Sequence, residues 1–138
     1  MPWANAPNLG FTTGMPWLPA AAEHEGLTAA AQDRDPDSTL AFARAMIDFR
    51  KHSAAMTAGE LTFLDLPDPV LGFVRRAPGA SGGNEAIACL FNMSAEPRFV
   101  DLPELAGATL LETRAGDADL RGGSIGLSEW AAAVLRLA

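Results

Sequence analysis

The chain has 138 residues, of which 49% are hydrophobic and 20% charged, and its formal net charge is -7. This is the composition of a globular protein with room for one domain. An acidic chain repels the phosphate backbone, so we expect no nucleic-acid partner. No apolar run approaches the ~18 residues that span a bilayer, and no basic amphipathic stretch is present, so we expect no membrane partner. A lone cysteine and the lack of a secretion-signal pattern predict a cytoplasmic protein.

The opening stretch, "MPWANAPNLGFTTGMPWLPAAAEHEG", has neither helical nor strand periodicity. We predict that residues 1–34 are irregular, because prolines recur through the stretch and interrupt any regular element. These prolines are Pro2, Pro7, Pro16 and Pro19.

The next stretch, "DPDSTLAFARAMIDFRK", predicts one amphipathic helix over residues 36–51. Asp35 is the expected N-cap, and Pro36 suits the first helical position. Arg50 is expected to lay its stem on apolar surface and to hydrogen-bond its head nearby. The apolar side chains fall within about half a turn of the helical wheel, which predicts a broad buried face. They are Leu40, Phe42, Ala43, Met46, Ile47 and Phe49.

After Gly59 the sequence changes to short apolar runs separated by turn residues. Such a pattern is typical of an antiparallel β-sandwich, so the predicted fold is mainly β, with a loop and one helix ahead of a small sandwich. The Gly-rich "APGASGGNE" at 77–85 predicts a hairpin loop. The predicted strands are "ELTFLD", "VLGFVRR", "AIACLFN", "RFVDL", "TLLE" and "AAVLRL".

Three alternating acids, Asp33, Asp35 and Asp37, raise the question of a calcium site. An EF-hand loop needs Gly at its sixth position and Glu at its twelfth, and Ser38 and Arg44 stand there instead. Helix capping accounts for these acids better.

The remaining candidate groups also argue against a metal or a nucleophile. His24 and His52 have no second histidine or cysteine at ligand spacing, so we expect no metal and no cofactor. Cys89 lies in an apolar strand and is expected to be a small buried side chain. The "NMS" sequon at Asn92 is not expected to carry a glycan, because no secretory route is indicated.

Four aromatic side chains leave two hypotheses open. They could stack on sugar rings, or they could pack loops against the rest of a domain. They are Trp3, Phe11, Trp17 and Trp130.

The segments "MPW", "NLGFTTGMPWLP" and "QDRDPDSTLAFARAMIDFRK" closely resemble the C-terminal region of α-glucosidases of glycoside hydrolase family 13, the α-amylase family. The resemblance implies that residues 1–58 hold the last βα loop and the eighth helix of a (β/α)8 barrel. It implies that residues 59–138 form the antiparallel β domain called domain C. The family's catalytic carboxylates come from barrel strands ahead of the M-x-W segment, so no catalytic residue is carried over to this chain.

The resemblance also implies where substrate would lie. Trp3, Asn8, Phe11 and Trp17 match the family's motif and are candidates for the substrate rim, because barrel active sites lie among the βα loops. Holding the loop against the barrel is an equally open role for them. The expected partners are the missing (β/α)8 barrel, an oligosaccharide, and a second copy through the exposed helix face.

These implications lead to one function and two alternatives. The expected function is that of a C-terminal fragment of an α-glucosidase-like enzyme, structural in role and inactive alone. A stand-alone sugar-binding β-sandwich module is the alternative. A subunit that complements a separately encoded barrel is the third hypothesis.

Overall fold

The computed structural model describes residues 1–78, 83–114 and 117–138. The chain divides into two compact units, Met1–Phe49 and Arg50–Ala138. The predicted division between residues 58 and 59 stays a prediction, and residues 79–82 of the predicted hairpin loop at 77–85 lie outside the described residues.

The first unit contains more helix than we predicted from its recurring prolines. Tight turns of 3-10 type occupy Pro7–Gly10 and Ala22–Leu27, and a short helix, α1, covers Ala29–Gln32. The expectation of an irregular 1–34 is therefore wrong in part. Thr28 explains α1, because its buried side chain accepts a hydrogen bond from Ala31 N at 3.2 Å and so caps the helix.

The main helix, α2, covers Thr39–His52 and begins three residues later than predicted. Ser38, rather than Asp35, is in the capping position, since Ser38 Oγ accepts a hydrogen bond from Ala41 N at 3.1 Å. Asp35 instead accepts a hydrogen bond from Asp37 N at 2.9 Å and closes the turn ahead of the helix. The predicted N-cap is thus wrong because the acid's side chain is used within its own turn.

The apolar face predicted for α2 is present in sequence, but no residue of α2 is buried. Leu40, Phe42, Met46 and Phe49 on that face are half-buried, whereas Ile47, near its edge, is 54% exposed. The face is therefore less buried than predicted. Arg50 does bond its head nearby as predicted, because its guanidinium donates to the backbone oxygen of Met56.

In its described residues, the second unit contains a short α-helix, a 3-10 turn at Pro103–Leu105 and eight strands in two antiparallel sheets. The helix α3 covers Ala54–Ala58. The five-stranded sheet has the order β1-β2-β3-β8-β5, and the three-stranded sheet has the order β4-β7-β6. The strands are β1 Glu60–Phe63, β2 Val70–Pro78, β3 Asn84–Asn92, β4 Arg98–Asp101, β5 Thr109–Arg114, β6 Ala118–Arg121, β7 Ser124–Leu127 and β8 Ala132–Arg136.

The two sheets share one apolar core. This arrangement confirms the predicted antiparallel, mainly β architecture, although the sequence analysis did not predict α3, β6 or β7. The side chains at its centre come from alternate positions of strands in both sheets, as expected where each sheet turns one face inward. They include Val74, Ala88, Leu90, Ala133 and Leu135 from the larger sheet, and Val100, Ile125 and Leu127 from the smaller one.

Helix α3 is bound to the larger sheet by charged side chains at both of its ends. The Glu85 carboxylate accepts hydrogen bonds from Ser53 Oγ and Ala55 N, each at 2.9 Å. At the other end, Arg75 donates from Nε to Ala55 O and from Nη2 to Gly59 O, each at 2.8 Å. Gly59 is required there, because a Cβ at this position would lie 2.3 Å from Ala55 O. The charges complement the helix dipole, which stabilises a helix too short to persist alone.

Asn92, at the end of β3, joins two loops of the second unit. Its buried amide donates to Glu96 O and Ser128 O, each at 2.7 Å. Its Oδ1 accepts hydrogen bonds from Ser94 N and Ser94 Oγ, at 3.1 and 2.8 Å. A side chain so enclosed is inaccessible to a glycosylating enzyme, so the structure agrees with the prediction that the sequon is not used.

We predict that Asn92→Ala lowers the free energy of unfolding by about 2–4 kcal/mol, because it leaves several buried polar groups without partners. Urea unfolding followed by tryptophan fluorescence measures the change. Asn84→Ala, at the exposed start of the same strand, is the matched control and should change stability by less than about 0.5 kcal/mol. Equal effects of the two substitutions would contradict the role given to Asn92.

Candidate functional site

Asn8 organises the opening loop. Its side-chain amide donates to Gly14 O at 3.0 Å and to Thr12 O at 3.3 Å. Asn8 and Leu9 have φ values of 56° and 53°, in the left-handed region that asparagine tolerates better than most residues. Asn8 therefore has the backbone conformation that the turn requires, and its side chain binds the backbone of the segment at residues 12–14.

The backbone around Trp3 is also fixed. Trp3 N donates to Leu9 O at 2.8 Å, and Trp3 O accepts a hydrogen bond from Ala30 N at 3.0 Å. Pro2 O accepts a second hydrogen bond from Ala29 N at 3.0 Å. These carbonyls satisfy amides in the first turn of α1 that otherwise lack partners. The segment around Trp3 is therefore structural, in that it caps a helix.

Asn8 lines several grooves of the first unit, and it shares two of them with Phe11. The first is a cleft of about 130 Å³ that Asn8 and Phe11 line together with Leu18 and His24. This is smaller than the ~300 Å³ at which ligand pockets usually begin. The second is an open groove of about 680 Å³ between Asn8, Phe11 and Thr13. The first cleft therefore cannot enclose a substrate by itself, and the second is open to solvent.

The structure brings together two of the four predicted rim residues. Asn8 and Phe11 line both grooves, and Phe11 N donates to Asn8 O at 3.0 Å. Trp3 and Trp17 line neither groove. Sequence reasoning missed two residues of the first cleft: Leu18, which lies within "NLGFTTGMPWLP" but was not among the predicted rim residues, and His24, which lies beyond that segment.

The aromatic side chains chosen in the sequence are all exposed. Trp17 is 95% exposed, whereas Trp3, Phe11 and Trp130 are exposed by 53%, 64% and 56%. Trp130 has a φ of 55°, which is uncommon for a bulky residue, and its backbone N–H donates to Ser94 O at 2.9 Å. None of the four packs into a core within the described structure.

Carboxylates form no buried cluster among the side chains that the structure describes. None of the Asp and Glu residues in that set is fully buried. Asp33 pairs with Arg44, and the hydrogen bond and charge of Arg44 hold the pKa of Asp33 below its usual value. Within the described ranges, no group of three His, Cys, Asp or Glu side chains is arranged to hold a metal ion. The same part of the chain contains no helix of the length and apolarity needed to cross a bilayer.

Cys89 is buried in β3, as predicted, and only 3% of it is exposed. Burial raises the pKa of its thiol from 9.0 to about 11, and the positive charge of Arg75 opposes this only in part. A thiol with this pKa is almost entirely protonated at neutral pH, so Cys89 is a poor nucleophile.

Comparison with known proteins identifies relatives of this chain. The family model "Alpha amylase, catalytic domain" matches residues 1–59. A probable alpha-glucosidase of Rhizobium meliloti (strain 1021) is 36% identical over 138 residues, which are 100% of this chain and 24% of that protein. A trehalose-6-phosphate hydrolase of Bacillus subtilis (strain 168) is 29% identical over 103 residues, covering 74% of this chain and 18% of that protein.

Solved structures of related enzymes contain a region with the same fold as this chain. The alpha-glucosyl transfer enzyme XgtA superposes with a TM-score of 0.84 at 32% identity, covering 100% of this chain and 25% of the enzyme. The trehalulose synthase MutB from Pseudomonas mesoacidophila MX-45 superposes with a TM-score of 0.83 at 28% identity, covering 99% of this chain and 24% of the enzyme.

These likenesses define a class, namely proteins related to enzymes that act on glucosides. Within it, the chain belongs to glycoside hydrolase family 13, the α-amylase family. It spans 24% of the length of the Rhizobium relative and 25% of XgtA.

We predict that the free energy of unfolding falls between pH 9 and pH 11 by up to about 3 kcal/mol because of Cys89. The sign follows from the raised pKa: over this interval the folded chain keeps the thiol proton while the unfolded chain loses it. Below pH 9 the contribution is fully present. Urea unfolding at pH 8 and pH 10.5 measures the fall.

Cys89→Ala is the control, because it removes the titrating thiol and leaves all other titrating groups in place. Its stability should fall less steeply over the same interval. Parallel pH profiles for the two proteins would contradict the assignment.

Proposed function

We propose that the chain is the C-terminal part of an α-glucosidase-type enzyme and that its role is structural. In this proposal residues 1–58 complete the last loop and helix of a (β/α)8 barrel, and residues 59–138 form domain C. The chain alone does not hydrolyse glycosides, because the carboxylates that retaining glycosidases need belong to the rest of the enzyme.

The extent of the family match supports this division. The catalytic-domain model matches residues 1–59 and ends where the first strand begins, at Glu60. Beyond it the chain consists of antiparallel strands, whereas helices alternate with parallel strands in a barrel. The coverage of 24–25% of the relatives leaves three quarters of such an enzyme to supply the barrel and the catalytic groups.

The observation that carries the proposal is the exposure of the first unit. Helix α2 has an apolar face but no fully buried residue, and Ile47 on that face is 54% exposed. Met15, Trp17 and Leu18 in the opening loop are 98%, 95% and 69% exposed. Covering a large apolar side chain contributes about 1.5–3 kcal/mol, so these surfaces are those of an element that a larger structure covers.

Within this proposal, Asn8 and Phe11 are the rim residues that lie nearest to substrate. They share both grooves, whereas Trp3 and Trp17 are proposed to hold the loop against the barrel. The proposed substrate class is α-glucosides, by analogy with the names of the relatives. The proposed location is the cytoplasm, in keeping with the single buried thiol.

The direct test compares two proteins on a chromogenic α-glucoside. The purified chain should give no turnover. The chain fused to the remaining three quarters of the Rhizobium relative, in place of that protein's matching region, should be active. Turnover by the purified chain, abolished by an α-glucosidase inhibitor in material free of host enzyme, would overturn the proposal.

In the fused enzyme, Asn8→Ala should raise KM or lower kcat/KM by about tenfold, because the loop that carries Phe11 loses two hydrogen bonds. Asn84→Ala, at an exposed strand start, is the matched control and should leave both constants unchanged. Unchanged kinetics in Asn8→Ala would contradict its place at the rim.

The exposed helix face should also make the chain self-associate. We expect the mass observed in sedimentation velocity to rise with concentration, and Ile47→Asp to reduce that rise, because Ile47 lies on the apolar face. Lys51→Gln, near the end of the same helix, should leave association unchanged. A monomer at every concentration would exclude this association.

A further inference from the structure

The outer face of the three-stranded sheet carries one aromatic side chain among polar ones. Strand β7 lies in the middle, paired with β4 on one side and β6 on the other. We name this surface the Phe99 face. It is formed by two adjacent rows across the sheet, Phe99–Gly126–Asp119 and Asp101–Ser124–Arg121.

Phe99 lies against the middle strand and is largely open to solvent. A Cβ at Gly126 would come within 2.9 Å of Phe99 Cε1 and 3.3 Å of Cδ1, so the ring rests over the bare backbone of Gly126. Even so, Phe99 is 82% exposed. A ring held at this position presents a flat apolar surface to solvent, which costs free energy unless something covers it.

The polar groups of the same face are held in place by one another. Ser124 Oγ donates to Asp101 Oδ1 at 2.5 Å. Arg121 Nη2 lies 2.6 Å from Asp119 Oδ2, and these two side chains are 83% and 61% exposed. A guanidinium has five N–H donors and a carboxylate about four acceptor sites, so both groups keep capacity for a further ligand.

The composition of the Phe99 face indicates what could cover it. Asp is depleted in protein interfaces, whereas here the aromatic ring lies on the same face as Asp101 and Asp119. A nucleic acid is disfavoured by the net charge of -7. A pyranose ring satisfies both features, because its C–H face is apolar and its hydroxyls can both donate and accept hydrogen bonds.

We propose that the Phe99 face binds a neutral oligosaccharide of α-linked glucose. One glucosyl ring stacks on Phe99 above Gly126, and its hydroxyls bond with Arg121 and Asp119 on the far side of the middle strand. This site is separate from the opening loop and requires no catalytic group. Only the choice of glucose rests on the proposed function.

The test is a titration of the ¹⁵N-labelled full chain with maltoheptaose. Cellohexaose is the comparison sugar. We expect shifts of amide signals in β4, β6 and β7 that saturate with maltoheptaose. Phe99→Ala should weaken binding at least about tenfold, and Phe99→Trp should retain it, because the ring surface is preserved. Phe63→Ala is the matched control, since Phe63 is 67% exposed on a strand of the other sheet.

Any of the following outcomes would overturn the proposal. These outcomes are no saturable shift with maltoheptaose, shifts confined to the opening loop, or equal binding by wild type and a Phe99→Ala variant that melts at the same temperature. Shifts of the same amides with protein concentration alone would show that a second copy covers the face. Failure of sugar binding leaves the proposed enzyme role untouched, because that role is tested by turnover of the fused enzyme.

Discussion

Strand β3 is buried on both faces over four successive residues, and the second unit is arranged around this constraint. Ala88 and Leu90 enter the core between the sheets, while Ile87 and Cys89 on the opposite face are also buried. A strand with no exposed face needs a neighbour on each edge, which β2 and β8 supply, and cover beyond the sheet on both sides. Helix α3, bound through Glu85 and Arg75, lies on the face that carries Arg75.

The first unit has no comparable centre. Its buried residues are Leu9, Thr28 and Ser38, and hydrogen bonds join the opening loop to the first turn of α1. Its helix α2 has no fully buried residue, and Ile47 on the apolar face of that helix is exposed. The contrast fits a chain that spans about a quarter of its relatives: the β unit contains its own core, whereas the unit that matches the catalytic domain is proposed to need the rest of the barrel.

Most of the features that sequence reasoning found depend on neighbouring residues. The predicted strands from β1 to β5 and β8 follow from local apolar runs. The β6–β7 hairpin had a local signal, Gly122–Gly123 between two short runs, that was not used. Helix α3 also had a local signal, because Ser53 caps its start through Met56 N and Gly59 ends it, but its attachment to the sheet depends on Glu85 and Arg75, which are 30 and 20 residues from Ala55. The cap of α2 was misplaced because Asp35 and Ser38 are both good caps, and only the turn geometry separates them.

The candidate site shows the same difference between what depends on neighbouring residues and what depends on distant ones. The motif selected Asn8 and Phe11, which the structure brings to shared grooves, but it could not separate them from Trp3, whose backbone caps α1. The Phe99 face places β4 beside β7, which lies more than 20 residues further along the chain, so its arrangement depends on strand order.

Hydrogen exchange on the purified chain and on the fused enzyme tests the central claim most directly. If the first unit is an incomplete part of a barrel, the amides of α2 and of the opening loop should exchange much more slowly in the fused enzyme, while those of β3 and β8 should be protected equally in both. Equal protection of α2 in the two proteins would contradict the account.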